Sequence, residues 1–233
     1  MRLCIFDFEV FRYDALLGYG FVDLEKNSCD FKQTWDLEEM RRIYNESVND
    51  TIWIGWNNNH YDDLIYETVV ENKMAPFVKS KEIIGSKYNR FCNFPFYGYD
   101  LVNGFLVMPS LKLTEALEGD SIDTTEVDFD LMRPLNEEEK ERTERYNLSD
   151  LRRTFKNFRK MKGKFELRLS LLKEFDIPFQ KGLRMTGTQI AASALGAKRN
   201  PALASMPVKP YLYPTLQVKN KEVIDWFLTE QFR

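Results

Sequence analysis

The stretch Leu3-Cys4-Ile5-Phe6-Asp7-Phe8-Glu9-Val10 decides how the chain is read. It is an apolar, strand-forming run carrying two carboxylates two positions apart. Side chains alternate along a strand with period 2, so Asp7 and Glu9 project from one face. Burying two like charges side by side is expensive, and a divalent cation between them is the simplest compensation. The alternative is a surface pair, because with 36 acids in the chain such spacings also arise by chance.

Outward from this strand, residues 2–8 and 15–22 read as two strands joined by a turn near 11–14. Residues 33–49 read as a helix, with Leu37, Met40, Ile43 and Tyr44 at spacings of three and four. The β-branched and aromatic run 51–56 is a buried strand, followed by a turn at Asn57-Asn58-Asn59 and a helix over 62–72. Residues 80–98 look loop-like, 99–106 strand-like and 111–117 helical. Asn136 with Glu139 three positions on forms a capping box that starts a helix. That helix is expected to run through Tyr146 and Asp150 to about residue 160, with Gly163 ending it. Beyond Phe175, glycines and prolines leave only 186–195 and 221–232 helical by pattern. Strands first and helices interleaved imply an α/β fold with a mixed sheet covered by helices.

At 233 residues the chain suits one large domain or one domain with an extension. Its 43% hydrophobic content supports a packed core and argues against disorder. No apolar run approaches the roughly 20 residues of a membrane helix, and Asp7 and Glu9 interrupt the only apolar stretch near the N-terminus. Cys4, Cys29 and Cys92 are odd in number and unclustered, so neither a disulfide framework nor a zinc site is indicated. A reducing cytoplasm is the expected setting, and no membrane partner is expected. Net charge is −3, yet residues 151–173 hold nine Lys/Arg and one Glu. Such a run either tracks phosphates or is a solvated helix face.

Two further segments bear on the chemistry. Asp62 closes Asn58-Asn59-His60-Tyr61-Asp62 just after a strand, and strand C-terminal ends are where ligands collect in α/β sheets. Alternatively, Asp62 or Asp63 caps the following helix. His60, the sole histidine, is a second-choice general base or a solvated turn residue. Tyr146 and Asp150 lie one helical turn apart on one face, where Asp150 would add a fourth carboxylate and the Tyr146 hydroxyl would orient a water. Arg152, Arg153, Lys156, Arg159 and Lys160 continue that helix and are candidates for phosphate contacts.

Together, Asp7-x-Glu9, Asn58-x-x-Tyr61-Asp62 and Tyr146-x-x-x-Asp150 resemble in order and context the motifs of the DEDD-superfamily (DnaQ-like) 3′→5′ exonucleases, tyrosine subtype. Tyr99-Asp100-Leu101, Ser110-Leu111-Lys112 and residues 124–133 are similar to the exonuclease portion of bacteriophage DNA polymerases. The resemblance is clear over residues 1 to about 160 and fainter beyond. It implies an RNase H-like mixed sheet flanked by helices, with residues 1–164 as exonuclease core and 165–233 as a mostly helical extension. It also implies two Mg²⁺ or Mn²⁺ ions on Asp7, Glu9, Asp62 and Asp150, roughly 3.5–4 Å apart across the scissile phosphate. The substrate would be the 3′ end of single-stranded DNA, with a DNA polymerase or other replication protein as partner. Catalysis would use Asp7, Glu9, Asp62, Tyr146 and Asp150, while Asn58, Phe8, Phe11, Arg152 and Arg153 would bind the strand. A ribonuclease of the same subtype and a catalytically silent strand-binding module are the alternatives. The sequence departs from the pattern at Val10-Phe11, where many relatives carry a small hydroxyl residue, and no polymerase palm motif follows.

Overall fold

The first strand, β1 (Arg2–Val10), is the hub of the structure. It pairs antiparallel with β2 (Ala15–Asp23), which pairs antiparallel with β3 (Ser28–Thr34). On its other side β1 runs parallel to β4 (Thr51–Gly55), and β4 parallel to β5 (Tyr97–Asp100). The result is a five-stranded mixed sheet of order β3-β2-β1-β4-β5. This computed structural model describes residues 1–86, 92, 95–104, 111 and 127–197. The expected helices over 111–117 and 221–232, and residues 124–126, lie outside the described residues apart from Leu111.

Helices cover both faces. On one lie α1 (Leu37–Ser47), α2 (Asp62–Glu71) and α3 (Pro76–Gly85). Phe6, Phe8, Trp53, Tyr66 and Phe96 form the aromatic centre of that layer, with Trp53 edge-on to Phe6 at 5.4 Å and to Tyr66 at 5.2 Å. The other face meets α4 (Glu137–Glu174) and the short α5 (Phe179–Arg184). There Leu3, Ile5, Ile52 and Ile54 pack with Leu151, Phe158, Phe165 and Leu183. A last helix, α6 (Gly187–Ala194), is capped by Thr186 and Gln189 and joins a small cluster with Leu172 and Ile177. By compactness the chain divides at Gly196, and the second unit, Ala197–Arg233, lies outside the described residues save Ala197. Among the described residues no helix is long and apolar enough to cross a membrane.

Four local expectations are corrected. The strand expected over 99–106 is β5, Tyr97–Asp100, after which Leu101–Gly104 turn as a short 3-10 helix. The span 33–49 is not all helix: Gln33 and Thr34 finish β3, and Asp36 starts α1 by accepting a hydrogen bond from the Glu38 N–H at 2.8 Å. β3 escapes pattern reading because it is an edge strand, half of it exposed and carrying Asp30 and Lys32. Ser80–Gly85, inside the supposed loop, completes α3, which Pro76 opens at a position where its missing N–H costs nothing. Finally, α4 does not end near Gly163 but runs 38 residues, about 57 Å at 1.5 Å per residue. A mid-helix glycine costs about 1 kcal/mol. Burial of Phe158, Met161, Phe165, Arg168 and Leu172 on the inner face outweighs that.

Candidate metal centre

Asp7 and Glu9 extend the row that begins with Leu3 and Ile5, the β1 side chains facing α4. The apolar half of the row anchors the helix and the acidic half reaches the sheet's upper rim. β4 pairs with β1 only from Arg2 to Ile5, so beyond that point the β4 side of β1 has no strand neighbour. Asp62, the first residue of α2, fills the gap by accepting the Phe8 N–H at 3.1 Å. It does not cap its helix: the N-cap position is Tyr61, and neither Asp62 nor Asp63 supplies a side-chain cap.

The third carboxylate arrives from α4. Opposite Asp7 in β2 stands Gly18, and a Cβ there would meet Asn147 Oδ1 at 2.0 Å and Leu151 Cδ1 at 2.6 Å. Only a residue without a side chain lets α4 lie this close. Carboxylate oxygens of Asp7, Glu9 and Asp150 then fall within 4.8 Å of one another. Tyr146 lies one turn before Asp150 and is 9% exposed. Asp62 stands outside the trio but near enough to act on Asp7 electrostatically.

The electrostatics describe a cluster of like charges centred on Asp7. Burial, then the negative charges of Glu9, Asp62 and Asp150, push the Asp7 carboxyl well above its ordinary value, opposed by the Asn147 hydrogen bond. Burial likewise drives Asp62 up, against the Phe8 N–H. Hard carboxylate oxygens, with no thiolate or imidazole in the trio, suit Mg²⁺ or Mn²⁺, and these residues could hold such an ion.

Asn147, which motif spacing did not single out, is the principal orienting group. Its Nδ2 donates to Asp7 Oδ2 at 2.9 Å, and its Oδ1 accepts from Gln33 Nε2 at 2.9 Å. Gln33 also donates to the Glu144 carbonyl at 2.8 Å, and Trp35 Nε1 donates to Glu144 Oε1 at 2.7 Å. The signal available in sequence was an asparagine on the apolar stripe of α4, one turn before Asp150. Asn147→Ala is expected to weaken divalent-cation affinity about 10- to 100-fold, as loss of a partner orienting a metal ligand does. Isothermal titration with Mn²⁺ measures it, and an unchanged affinity would remove Asn147 from this role.

The proposed strand-binding residues sit differently from expectation. Phe8 is buried edge-on against Tyr66, and Phe11 is buried against Phe129 at 5.1 Å, so both rings are used inside the protein. Asn58 is fully buried and donates to Asp63 Oδ1 at 2.8 Å. Arg153 is buried and donates to Asp150 Oδ1 at 2.8 Å, holding that carboxylate rather than reaching solvent. Arg152 is exposed, but two residues turn a helix by about 200°, which carries it away from Asp150.

A second buried network supports the turn that delivers Asp62. Asp63 is bound by Asn58 and faces Arg184 of α5 at 3.6 Å. Burial raises Asp63 to about 7, and Arg184 and Asn58 pull it down from a still higher value. Asp100, at the end of β5, accepts the backbone N–H groups of Asn57, Asn59 and Val102. Arg184 also donates to the Cys92 carbonyl at 2.8 Å.

These shifts carry a signed pH dependence. Asp7, Asp62 and Asp63 have folded values above their unfolded ones. Their stabilising contribution is therefore complete below the ordinary carboxylate range and is lost as pH rises through about 7 for Asp63. Glu139, lowered to about 2 chiefly by Arg133, acts oppositely but only in stronger acid. In a chelator, scanning calorimetry should show the melting temperature falling from about pH 5 to about pH 8, with Mg²⁺ restoring more at the higher pH. A flat profile insensitive to Mg²⁺ would contradict the cluster. No family model, curated protein or solved structure matches the chain.

Proposed function

We propose that this chain is a metal-dependent 3′→5′ exonuclease that hydrolyses single-stranded DNA from its 3′ end, of the DEDD tyrosine subtype on an RNase H-like frame. The observation that carries the reading is the convergence of Asp7 and Glu9, from the first motif, with Asp150, from the last, across the sheet–helix boundary. Nothing in the local sequence of either segment requires them to meet.

Asp7, Glu9 and Asp150 offer oxygens to divalent cations, with Asp62 as a neighbouring fourth carboxylate. Bound ions would neutralise the phosphodiester and lower the pKa of the attacking water. Asn147 keeps the Asp7 oxygen aimed at the site, and Arg153 does the same for Asp150. Tyr146 lies one turn from Asp150 on α4, and its hydroxyl would hydrogen-bond the nucleophile. The preference for DNA and the association with a polymerase rest on the family resemblance.

The test is digestion of matched DNA and RNA strands, 5′-labelled, in Mg²⁺. Successive loss of single nucleotides from the 3′ end of DNA, stopped by a blocked 3′ terminus, is expected. Faster digestion of RNA would move the reading to the ribonuclease of the same subtype. Internal fragments, or no cleavage of either strand, would contradict it.

A further inference from the structure

A cavity of about 260 Å³ lies among the β1–β2 turn, α1, the end of α2 and the start of α3, the helix layer opposite α4. Its charged lining is Arg12, Arg41 and Lys73 against one acid, Asp14. Most of these are already engaged. Arg41 donates to the Val69 carbonyl at 2.7 Å and to Asn72 at 2.8 Å, Lys73 meets Glu71 at 3.1 Å, and Asp14 accepts the Leu135 N–H at 3.0 Å. Arg12 is different. Its guanidinium lies over the Phe77 ring at 5.1 Å, its Nε is buried without a partner, and among the described residues it makes no hydrogen bond or ion pair.

A buried guanidinium N–H without an acceptor is costly, and a cation held on an aromatic face lacks a counter-charge. An anion in the cavity supplies that counter-charge. α3 starts at the cavity wall, so the positive end of its dipole adds to the same preference. The remaining lining is apolar or aromatic: Tyr13, 58% exposed, with Met74 and Phe77. A bare anion would leave that wall unused, whereas a planar base would cover it. The volume lies just below the roughly 300–1,000 Å³ of ordinary ligand pockets, which fits one nucleotide rather than a longer strand.

We propose that this cavity is a nucleoside monophosphate site separate from the metal centre, with the phosphate on Arg12 and the base against Tyr13 and Met74. It needs no metal and stands whether or not the chain is a nuclease. Phosphate bound to a nucleoside occurs both in a free mononucleotide and within a strand, and the test separates them.

The full chain is titrated in a chelator with 5′-thymidine monophosphate, thymidine, inorganic phosphate and oligothymidylate, using calorimetry. Saturable binding of the monophosphate is expected, stronger than that of phosphate, thymidine or the oligomer. Arg12→Gln should weaken it about tenfold or more. Tyr13→Ala, at an exposed position that the fold does not need, should weaken the nucleotide and leave phosphate unchanged. Asp7→Asn should leave binding unchanged. The proposal is overturned by absence of saturation, by equal affinity in Arg12→Gln and Tyr13→Ala, by phosphate or the oligomer binding as tightly, or by loss of binding in Asp7→Asn.

Discussion

Asp7→Asn is expected to lower nucleotide release about a thousandfold or more while raising the thermal stability of the metal-free protein. The two effects share one cause. Asp7 is the carboxylate on which burial and the charges of Glu9, Asp62 and Asp150 converge. Its ionised form is disfavoured by burial and its acidic neighbours, yet needed to hold a cation. Loss of a ligand that contributes several kcal/mol to transition-state charge stabilisation corresponds to roughly three decades in rate. The amide keeps an oxygen to accept the Asn147 hydrogen bond, so the fold retains its contact. Relief of the charge should add about 1–2 kcal/mol at neutral pH, the range typical of stabilising changes at functional sites. That is about 2–4 °C in melting temperature per kcal/mol for a chain of this size. Below the ordinary carboxylate range, where wild-type Asp7 is protonated too, the two proteins should converge. A variant that melts lower than wild type in chelator would show that Asp7 is a structural carboxylate instead.

The second large effect is expected from Gly18→Ala. The added methyl would stand 2.0 Å from Asn147 Oδ1 and 2.6 Å from Leu151 Cδ1, and Leu151 is fully buried. Overpacking of this kind costs about 1–3 kcal/mol. Relief requires the Asn147 and Leu151 side chains to swing aside, which takes Asn147 from Asp7, or α4 to shift, which also moves Asp150 from the trio. A displacement near 1 Å at a catalytic centre can cost about 100-fold in rate. Adding Asn147→Ala to Gly18→Ala should return part of the stability without returning the activity, because it clears the nearest clash but not the lost orientation. Denaturant unfolding and turnover on the same preparations measure both. Wild-type values for Gly18→Ala would mean that α4 does not lie on β2 as described.

These two residues mark the limit of what the chain discloses locally. Asp7 and Glu9 on one face of a strand follow from period-2 alternation, and the observed β1 places them so. The start of α4 follows from the Asn136–Glu139 capping box, which is present in both directions at 2.9 Å. β4 and α2 are likewise legible from a β-branched run and helical spacing. What escaped reading depends on contacts between distant segments. Gly18 matters only because Asn147 arrives above it, and Asn147 only because Gln33 orients its amide. Phe8, Phe11, Asn58 and Arg153 have the chemistry to bind a strand, but the tertiary structure uses each of them internally. Arg12 shows the converse, a residue with no motif that has no counter-charge among the described residues.

The most direct measurement is a time course on 5′-labelled single-stranded DNA, comparing wild type and Asp7→Asn after chelation and after return of Mg²⁺. An exonuclease centred on Asp7, Glu9 and Asp150 gives a ladder shortening one nucleotide at a time from the 3′ end, only in wild type and only with Mg²⁺. Equal digestion by Asp7→Asn, or a ladder that persists in chelator, would contradict it.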